Sequence, residues 1–534
     1  MSPPQSENND RERRRRRASR PKVRSGCATC KSRHKKCDEG RPSCAMCLRT
    51  GRKCEYRETL DGRTRSAREM RIIAVRERAS THDDTYDYFP PSDEVGFTRG
   101  GLVVAPGLIS TNPDLAADER RYLDFFRSTT AAQCAGYFYD EFWQRLVHRV
   151  SEAEPAVCHA VISLGSLNCR FLQRRMGMAG DERSWARDAE FSLRQSNKAI
   201  ACLRRVLEGE ERLGRQRTEI ALVVCVVLVS TMLFQEDAVS AGRHLRSGLT
   251  LLEAYLSDNP AHSAASVAIT QAFAGVLLSW LTFSTPDAEA VEGAQTYPFL
   301  VPRAFPEIAF DINKAGDFVV ALARLVLLGH PEALTWAGGQ DAVIQKLRGW
   351  GTQIKQSAIT HQARLSRRDR SALMLLELWS EVLYIILKVG SEPPPRESRY
   401  DAYLAGFQHS VQLARELLKT DTSVDPIPTF SVNLGIIAPL FYCGLRCRDW
   451  LVRQEALLLL RRWRRQEGIW SSNTTARVLA RLIDVESTGL TPEDVIPESS
   501  RIEAVHVDMP VGGSGLCLRY RRPGTGEWMT EWLA

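Results

Sequence analysis

The sequence predicts a small cysteine-rich domain followed by a large all-α domain that ends in a short β-hairpin. Six of the 14 cysteines lie between Cys27 and Cys54. From residue 119 onward, apolar side chains recur at helical spacing over roughly 350 residues. Alternation typical of strands is clear only near the end, where Val505, Val507 and Met509 precede a glycine-rich turn and residues 516–520.

Length and composition exclude several protein classes. A chain of 534 residues with 43% hydrophobic side chains can bury a large core, which excludes a wholly disordered protein. The longest apolar run, Ile220 to Phe234, has 15 residues, fewer than the ~20 of a membrane helix. The first ten residues, MSPPQSENND, contain no apolar core of a secretory signal. We therefore expect a buried helix at 220–234, no secretion and no membrane partner.

Charge is distributed unequally along the chain. Residues 1–80 carry 24 Lys and Arg against 10 Asp and Glu, a net charge of +14. The remaining 454 residues carry 48 basic and 54 acidic side chains, a net charge of −6. A cationic segment on a mildly acidic body indicates a localised polyanionic partner.

Four segments follow from these patterns. Residues 1–26 are predicted to be a disordered basic tail, 27–57 a cysteine block, 58–118 a linker, and 119–534 the helical domain. A short helix is expected over 67–78 within the linker. Inside the helical domain, SEAEP (151–155) has the pattern of a capping box. Apolar stripes predict buried helix faces at Val157, Val161, Leu164 and Leu167, at Leu245, Leu249, Leu252 and Leu256, and at Val478, Leu479, Leu482 and Ile483.

The cysteine block is an internal repeat with the spacing C-x2-C-x6-C-x6-C-x2-C-x6-C. Adding 17 to the first three cysteine positions gives the last three, so two equal half-sites are expected. The six cysteines are Cys27, Cys30, Cys37, Cys44, Cys47 and Cys54. The other eight cysteines are scattered among apolar neighbours and are interpreted as reduced core thiols. This includes Cys443 and Cys447, which are spaced i, i+4.

Zinc takes four thiolate ligands in a tetrahedron, and three cysteines per half-site fall one short. Two zinc ions can share the set if four thiolates are terminal and two bridge both metals. By the repeat symmetry, Cys27 and Cys44 are the natural bridges. A disulfide knot and a single zinc ion with two spare cysteines are the alternatives. The disulfide knot suits a small secreted protein, which a chain of this length without a signal peptide does not resemble.

The block resembles the DNA-binding domain of the fungal zinc binuclear cluster transcription factors. Beyond the six-cysteine spacing, the basic segment KSRHKK (31–36) follows the first CxxC, and Pro42 precedes the fourth cysteine by two residues. The resemblance implies two Zn²⁺ per chain, bridged by the first and fourth cysteines. It also implies a short helix after the first CxxC that enters the DNA major groove and reads a CGG-type triplet.

Carried onto this sequence, the resemblance assigns base reading to Arg33 and His34, with Lys31, Lys35 and Lys36 beside them. Arginine can bond guanine O6 and N7 bidentately, and flanking lysines neutralise phosphates. The family usually has Lys or Arg where this chain has His34, so the triplet preference or its pH sensitivity can differ.

The body also resembles the helical regulatory region of one branch of this family, in segments 142–167, 241–256, 453–486 and the end GEWMTEWLA. Such regions are implied to regulate activity and sometimes to bind small-molecule effectors. The resemblance further implies a homodimer and contact with the transcription machinery or coactivators. The acidic–aromatic patch at 83–89 suits a coactivator or a solvated linker, and the run Arg13–Arg17 suits nuclear import or phosphate contact.

No metalloprotease, P-loop, nucleophile-elbow or Rossmann motif occurs in the sequence, so no enzyme is predicted. The main hypothesis is a nuclear, sequence-specific regulator of RNA polymerase II genes. The alternative is an enzyme or scaffold protein that uses the cluster only as a nucleic-acid tether. A cleft in the body lined by convergent titratable groups would favour the alternative.

Overall fold

The computed structural model divides the chain into two units, Met1–Tyr88 and Phe89–Ala534. It describes residues 27, 29–30, 33, 35, 37–38, 43–51, 54, 96–98, 101–103, 115–175, 182–209, 214–258, 263–283, 300–301, 304–306, 311–327, 331–361, 364–390, 396–420, 429–462, 464–508, 515–524 and 526–533. The predicted tail 1–26, the short helix expected at 67–78 and most of the predicted linker lie outside the described residues. We call the described residues 27–54 the cysteine unit and 115–533 the helical body.

The cysteine unit buries thiols in place of an apolar core. Its buried cluster consists of five cysteines, against which Met46 and Cys54 pack. A single helix, α1 (Ala45–Arg49), is described in this unit and begins directly after Cys44. A cluster of thiols has little apolar area to bury, so this unit depends on something that binds the sulfur atoms.

The helical body is built from long helices that pack around one continuous apolar core. Its helices are α2 (Ala117–Phe125), α3 (Ala131–Ala135), α4 (Val147–Ala153), α5 (Pro155–Arg175), α6 (Glu182–Glu208), α7 (Gly214–Phe234), α8 (Ala238–Asp258), α9 (Ala264–Phe283), α10 (Ile312–Leu327), α11 (Gln340–Thr360), α12 (Arg367–Gly390), α13 (Leu404–Thr420), α14 (Ile437–Arg446), α15 (Trp450–Arg462) and α16 (Ser472–Glu486). Short π-helical and 3₁₀ turns connect several of them.

The apolar stripes predicted from the sequence lie in the core. Val157, Val161 and Leu164 on α5 are fully buried, and Leu245, Leu249 and Leu252 on α8 are nearly so. Helix α7 is buried on almost all sides, as the run 220–234 predicts. By length and composition alone, α7 and residues 264–282 of α9 would be long and apolar enough to cross a membrane. Their apolar windows are 72% and 56% buried inside the structure, the packing of core helices.

The predicted capping box at 151–155 is wrong. Ser151 lies inside α4, and its hydroxyl donates to the His148 carbonyl oxygen at 2.7 Å, so it caps nothing. The new helix, α5, begins at Pro155 after an extended Glu154. Proline suits this first position because its missing N–H would have no partner there.

Three small sheets accompany the helices. The first, β1 (Gly96–Thr98) with β2 (Gly101–Val103), is an antiparallel pair inside the predicted linker. The second joins the two-residue strands β3 (Phe430–Ser431), β4 (Gln466–Glu467) and β5 (Trp470–Ser471). The third confirms the predicted C-terminal hairpin, β6 (Ala504–Asp508) with β7 (Leu516–Arg521), and adds the strand β8 (Met529–Leu533).

A buried ion cluster ties α16 to its neighbours. The Glu486 side chain is fully buried and lies 2.8 Å from Arg448 Nη2 through its Oε1 atom. Its Oε2 atom accepts from Arg453, and the backbone N–H of Ile502 donates to Oε1 at 2.5 Å. Burial opposes ionisation of Glu486, but the two guanidinium groups outweigh it and lower the pKa of this carboxyl.

Candidate metal centre

The six cysteines of the block form two groups of four thiols. Within each group all Sγ atoms lie within 4.8 Å of one another. The groups are Cys27, Cys30, Cys37, Cys44 and Cys27, Cys44, Cys47, Cys54. Cys27 and Cys44 belong to both groups, and they are the two residues that the repeat predicts as bridges.

The sulfur spacing fits tetrahedral zinc. Sγ of Cys27 lies 3.7 Å from Sγ of Cys44, and Sγ of Cys30 lies 3.6 Å from the same atom. All six cysteines are free thiols, so these are not disulfide contacts. At a Zn–S distance of about 2.3 Å, tetrahedral geometry separates two sulfur ligands by about 3.8 Å. The donor set is therefore the one that zinc requires.

The two half-sites repeat one backbone contact. The N–H of Cys27 donates to Sγ of Cys37 at 3.4 Å, and the N–H of Cys44 donates to Sγ of Cys54 at 3.3 Å. The 17-residue repeat relates one bond to the other. Because an N–H donor stabilises a thiolate, each half-site prepares its third cysteine for a metal in the same way.

Thiolate character is greatest at the two shared cysteines. Burial disfavours the Cys27 thiolate, but the N–H of Cys30, 3.3 Å from its sulfur, and neighbouring thiols lower its pKa. For Cys44, burial is likewise outweighed by the backbone hydrogen bond from Cys47, which lowers the pKa. Burial and the contact with Cys27 raise the pKa of Cys30 to about 12. The shared positions thus favour the charged form that a bridging ligand needs.

Asp38, which the sequence reasoning did not single out, links the half-sites. Its carboxylate accepts the N–H of Ala45 at 3.0 Å and the N–H of Met46 at 3.4 Å. These are the first two N–H groups of α1, which have no partner inside the helix. A residue next to Cys37 of the first half therefore caps the helix of the second half.

The candidate DNA-contact residues are only partly described. Arg33 is half-buried and Lys35 is exposed. Arg33 Nη1 lies 3.3 Å from Oγ1 of Thr50, another residue that the sequence reasoning missed. The repeat offers a signal for it, because Thr50 is 17 residues after Arg33. Lys31, His34 and Lys36 lie outside the described residues.

A cleft of about 510 Å³ opens in the helical body between α2, α4, α5 and α6. Its lining includes Glu119, Cys158, His159, Lys198, Cys202 and Arg205. This is a cleft of the titratable kind that the alternative hypothesis requires.

The groups in this cleft are engaged with one another. Glu119 Oε1 accepts from Lys198 Nζ and from Gln195 Nε2, both at 2.7 Å, and Oε2 accepts the N–H of Ala116 at 2.9 Å. Burial opposes its charge, but these donors lower the pKa of Glu119 to about 2. Burial raises the pKa of Cys158 to about 11. Near pH 7 this carboxylate is not a proton donor and this thiol is not a nucleophile.

Comparison with known proteins agrees with the metal centre. Residues 25–63 match the fungal Zn(2)-Cys(6) binuclear cluster domain. The chain is 21% identical to the aspercryptin biosynthesis cluster-specific transcription regulator atnN of Emericella nidulans, over 86% of each chain. It is 40% identical to the transcriptional regulatory protein pro1 of Neurospora crassa, over 11% of this chain and 9% of that protein. It is 32% identical to the transcription factor pgmR of Aspergillus terreus, over 18% of this chain and 53% of that protein.

No solved structure matches the chain. The matched domain covers the whole cysteine unit and implies that it binds zinc. The relatives that match are all named as transcription regulators or factors, and none is named as an enzyme. The chain thus belongs to the fungal transcription regulators that carry a Zn(2)-Cys(6) binuclear cluster domain.

Proposed function

We propose that this protein is a sequence-specific regulator of RNA polymerase II genes that reads CGG-type triplets through a cluster of two zinc ions. The observation that carries the proposal is the sharing of Cys27 and Cys44 by two groups of four thiols. The family resemblance supplies the triplet and the polymerase. In-vitro selection of binding sites with the full-length protein tests both the triplet and the half-site spacing.

Two zinc ions account for the thiol arrangement. Four terminal and two bridging cysteines make eight bonds, which complete two tetrahedra. Elemental analysis of folded, DNA-binding protein should give two zinc ions per chain, and one ion would contradict the cluster. Cys27→Ala and Cys44→Ala should each reduce zinc content more than Cys54→Ala, because each removes two metal bonds.

We propose that Arg33 reads bases and that Lys35 contacts phosphates, together with Lys31, His34 and Lys36. Arg33→Ala should cost about 1–3 kcal/mol on the selected site and relax base preference there. Lys35→Ala should weaken all duplexes alike and reduce the slope of log affinity against log salt by about one. Equal losses on selected and scrambled DNA for both variants would mean that other residues read the bases.

We infer that the protein acts in the nucleus, where a regulator of transcription meets its DNA, with the run Arg13–Arg17 as import signal. A homodimer and contact with coactivators through residues 83–89 follow from the resemblance alone. Light scattering of the zinc-loaded protein with and without DNA tests the dimer. Loss of nuclear fluorescence on replacing Arg13–Arg17 tests the import signal.

We place the small-molecule effector that the resemblance implies in the cleft of the helical body. Its size and its two cationic side chains, Lys198 and Arg205, suit a small anionic ligand. Arg205 Nη2 donates to Sγ of Cys202 at 3.1 Å, so this partly exposed thiol lies at the site. A bound effector should shield Cys202 from iodoacetamide, which peptide mass spectrometry measures. The tether hypothesis instead requires turnover in this cleft, which the pairing of Glu119 and the neutral Cys158 do not support.

A further inference from the structure

Arg33 and Thr50 occupy the same position in the two half-sites, and their side chains touch. The 17-residue repeat relates them in the sequence. Nη1 of Arg33 lies 3.3 Å from Oγ1 of Thr50. A guanidinium group only donates hydrogen bonds, so the threonine hydroxyl is the acceptor. The recognition arginine of the first half is therefore held by a side chain of the second half.

The Thr50 hydroxyl is itself oriented by α1. It donates to the carbonyl oxygen of Met46 at 2.8 Å, with the carbonyl of Cys47 also within 3.3 Å. A carbonyl oxygen can only accept, so the single hydroxyl proton points toward the helix. The lone pairs that remain are free to face Arg33. The backbone N–H of Thr50, bonded to the Cys47 carbonyl at 3.2 Å, holds the residue at the end of α1.

The helix that carries Thr50 is held at its other end by the first half-site, through the Asp38 carboxylate on Ala45 and Met46. The contacts thus run from the first half to α1 and back again to Arg33. A side chain with several rotatable bonds loses entropy when it binds, and holding it beforehand reduces that cost.

We propose that Thr50 is a positioning residue that presents Arg33 to the DNA bases, so that the second half-site sets the precision of reading by the first. This inference rests on the proposed base-reading role of Arg33. It concerns specificity and not zinc binding, because Thr50 offers the metals no ligand atom that the six cysteines do not already supply.

Thr50→Val and Thr50→Ser, in the zinc-loaded full-length protein, test the proposal. Valine keeps the shape but loses the acceptor, and serine keeps the acceptor. Leu48→Ala, an exposed change on the same helix, is the control. Affinity is measured for the duplex that the wild-type protein selects and for a scrambled duplex, each in the Arg33 and the Arg33→Ala background.

Thr50→Val should reduce the ratio of specific to nonspecific affinity by about three- to tenfold, the scale of one hydrogen bond. Thr50→Ser should restore most of it, and Leu48→Ala should leave it unchanged. With Arg33→Ala, Thr50→Val should have no further effect, and zinc content should stay at the wild-type value throughout.

Two results would overturn the proposal. If Thr50→Val matches the wild-type protein while Arg33→Ala loses specificity, Arg33 reads bases without help from Thr50. If Thr50→Val lowers specificity equally in both backgrounds, Thr50 acts by another route. If Arg33→Ala itself leaves specificity intact, the proposed base-reading role fails and the positioning role fails with it.

Discussion

In the cysteine unit the buried cluster consists of five cysteines, whereas in the helical body it consists of aliphatic and aromatic side chains from Leu115 to Tyr520. The body includes helices of 20 or more residues, such as α5, α7 and α9. The helix α1 of the cysteine unit has five residues. A helix that short is not stable alone in water, so its order depends on the thiols and on Asp38.

The two regions are therefore stabilised by different forces. The body removes apolar area from water and needs no ligand to do so. The cysteine unit has sulfur atoms that must lose protons and meet a metal before they stabilise anything. The contrast teaches that one chain can hold a region whose folding is conditional beside one whose folding is not, and each can be perturbed without the other.

The largest expected effect is that of metal removal. Structural zinc contributes roughly 10–16 kcal/mol to the folding of small metal domains near neutral pH. A strong chelator should therefore unfold the cysteine unit while α2 to α16 stay folded. Hydrogen–deuterium exchange should rise in peptides covering residues 27–54 and stay unchanged in peptides of α5 and α7. Loss of protection in both regions would show that they do not fold independently.

Glu486→Ala should be the most destabilising single change considered in the body. It leaves Arg448 and Arg453 buried without their carboxylate, and breaking a buried ion pair costs about 3–5 kcal/mol. Chemical denaturation of the body measures this cost, and zinc content should not change. The control is Glu190→Ala, since Glu190 is exposed and paired only with Arg194 one turn away. That change should cost about 0.5 kcal/mol or less.

Glu119→Gln should weaken the body in a pH-dependent way. The folded-state pKa of Glu119 is about 2, below the ordinary value of about 4.3 in an unfolded chain. Its charge therefore contributes stability that is present above about pH 4.3 and is lost as the pH falls toward 2. The variant should be less stable by about 1–3 kcal/mol at pH 6 and equal to the wild type near pH 2. A cost that does not change with pH would contradict the ion pair with Lys198.

The smallest effects separate two glycines. A Cβ atom at Gly248 of α8 would lie 2.6 Å from Cys225 Sγ and 2.7 Å from Phe273 Cε1, so Gly248→Ala should cost about 1–3 kcal/mol by overpacking. At Gly51 a Cβ atom would meet nothing within 4 Å, but φ is +61°. Gly51→Ala should cost about 1 kcal/mol from backbone conformation alone. Thermal unfolding of the body reports the first change, and zinc affinity reports the second.

Gly51→Asn provides the control for this comparison. Asparagine tolerates a left-handed backbone better than alanine, so it should recover part of the loss at Gly51. The same residue at Gly248 should be worse than alanine, because it is larger. If asparagine and alanine act alike at both positions, space and conformation have not been separated.

Repeats and periodic patterns explain which features were predictable. The 17-residue repeat lies within 28 residues, so it predicted from spacing alone that Cys27 and Cys44 would be the shared pair. Periodicity predicted the buried faces of α5, α8 and α16 because each stripe extends over several turns. The two-residue strands β3, β4 and β5 are too short to show alternation. The strand β8 has an exposed and mixed pattern, so it was missed.

By itself, then, the sequence determined the thiol chemistry, the separation of basic and acidic regions and the helical nature of the body. These follow from residue type and from spacings along the chain. Only the tertiary structure decided that Asp38 caps α1, that Thr50 holds Arg33 and that Glu486 meets Arg448 and Arg453. Each of those contacts joins groups from different elements, and their distance and orientation depend on how those elements pack, which no local pattern encodes.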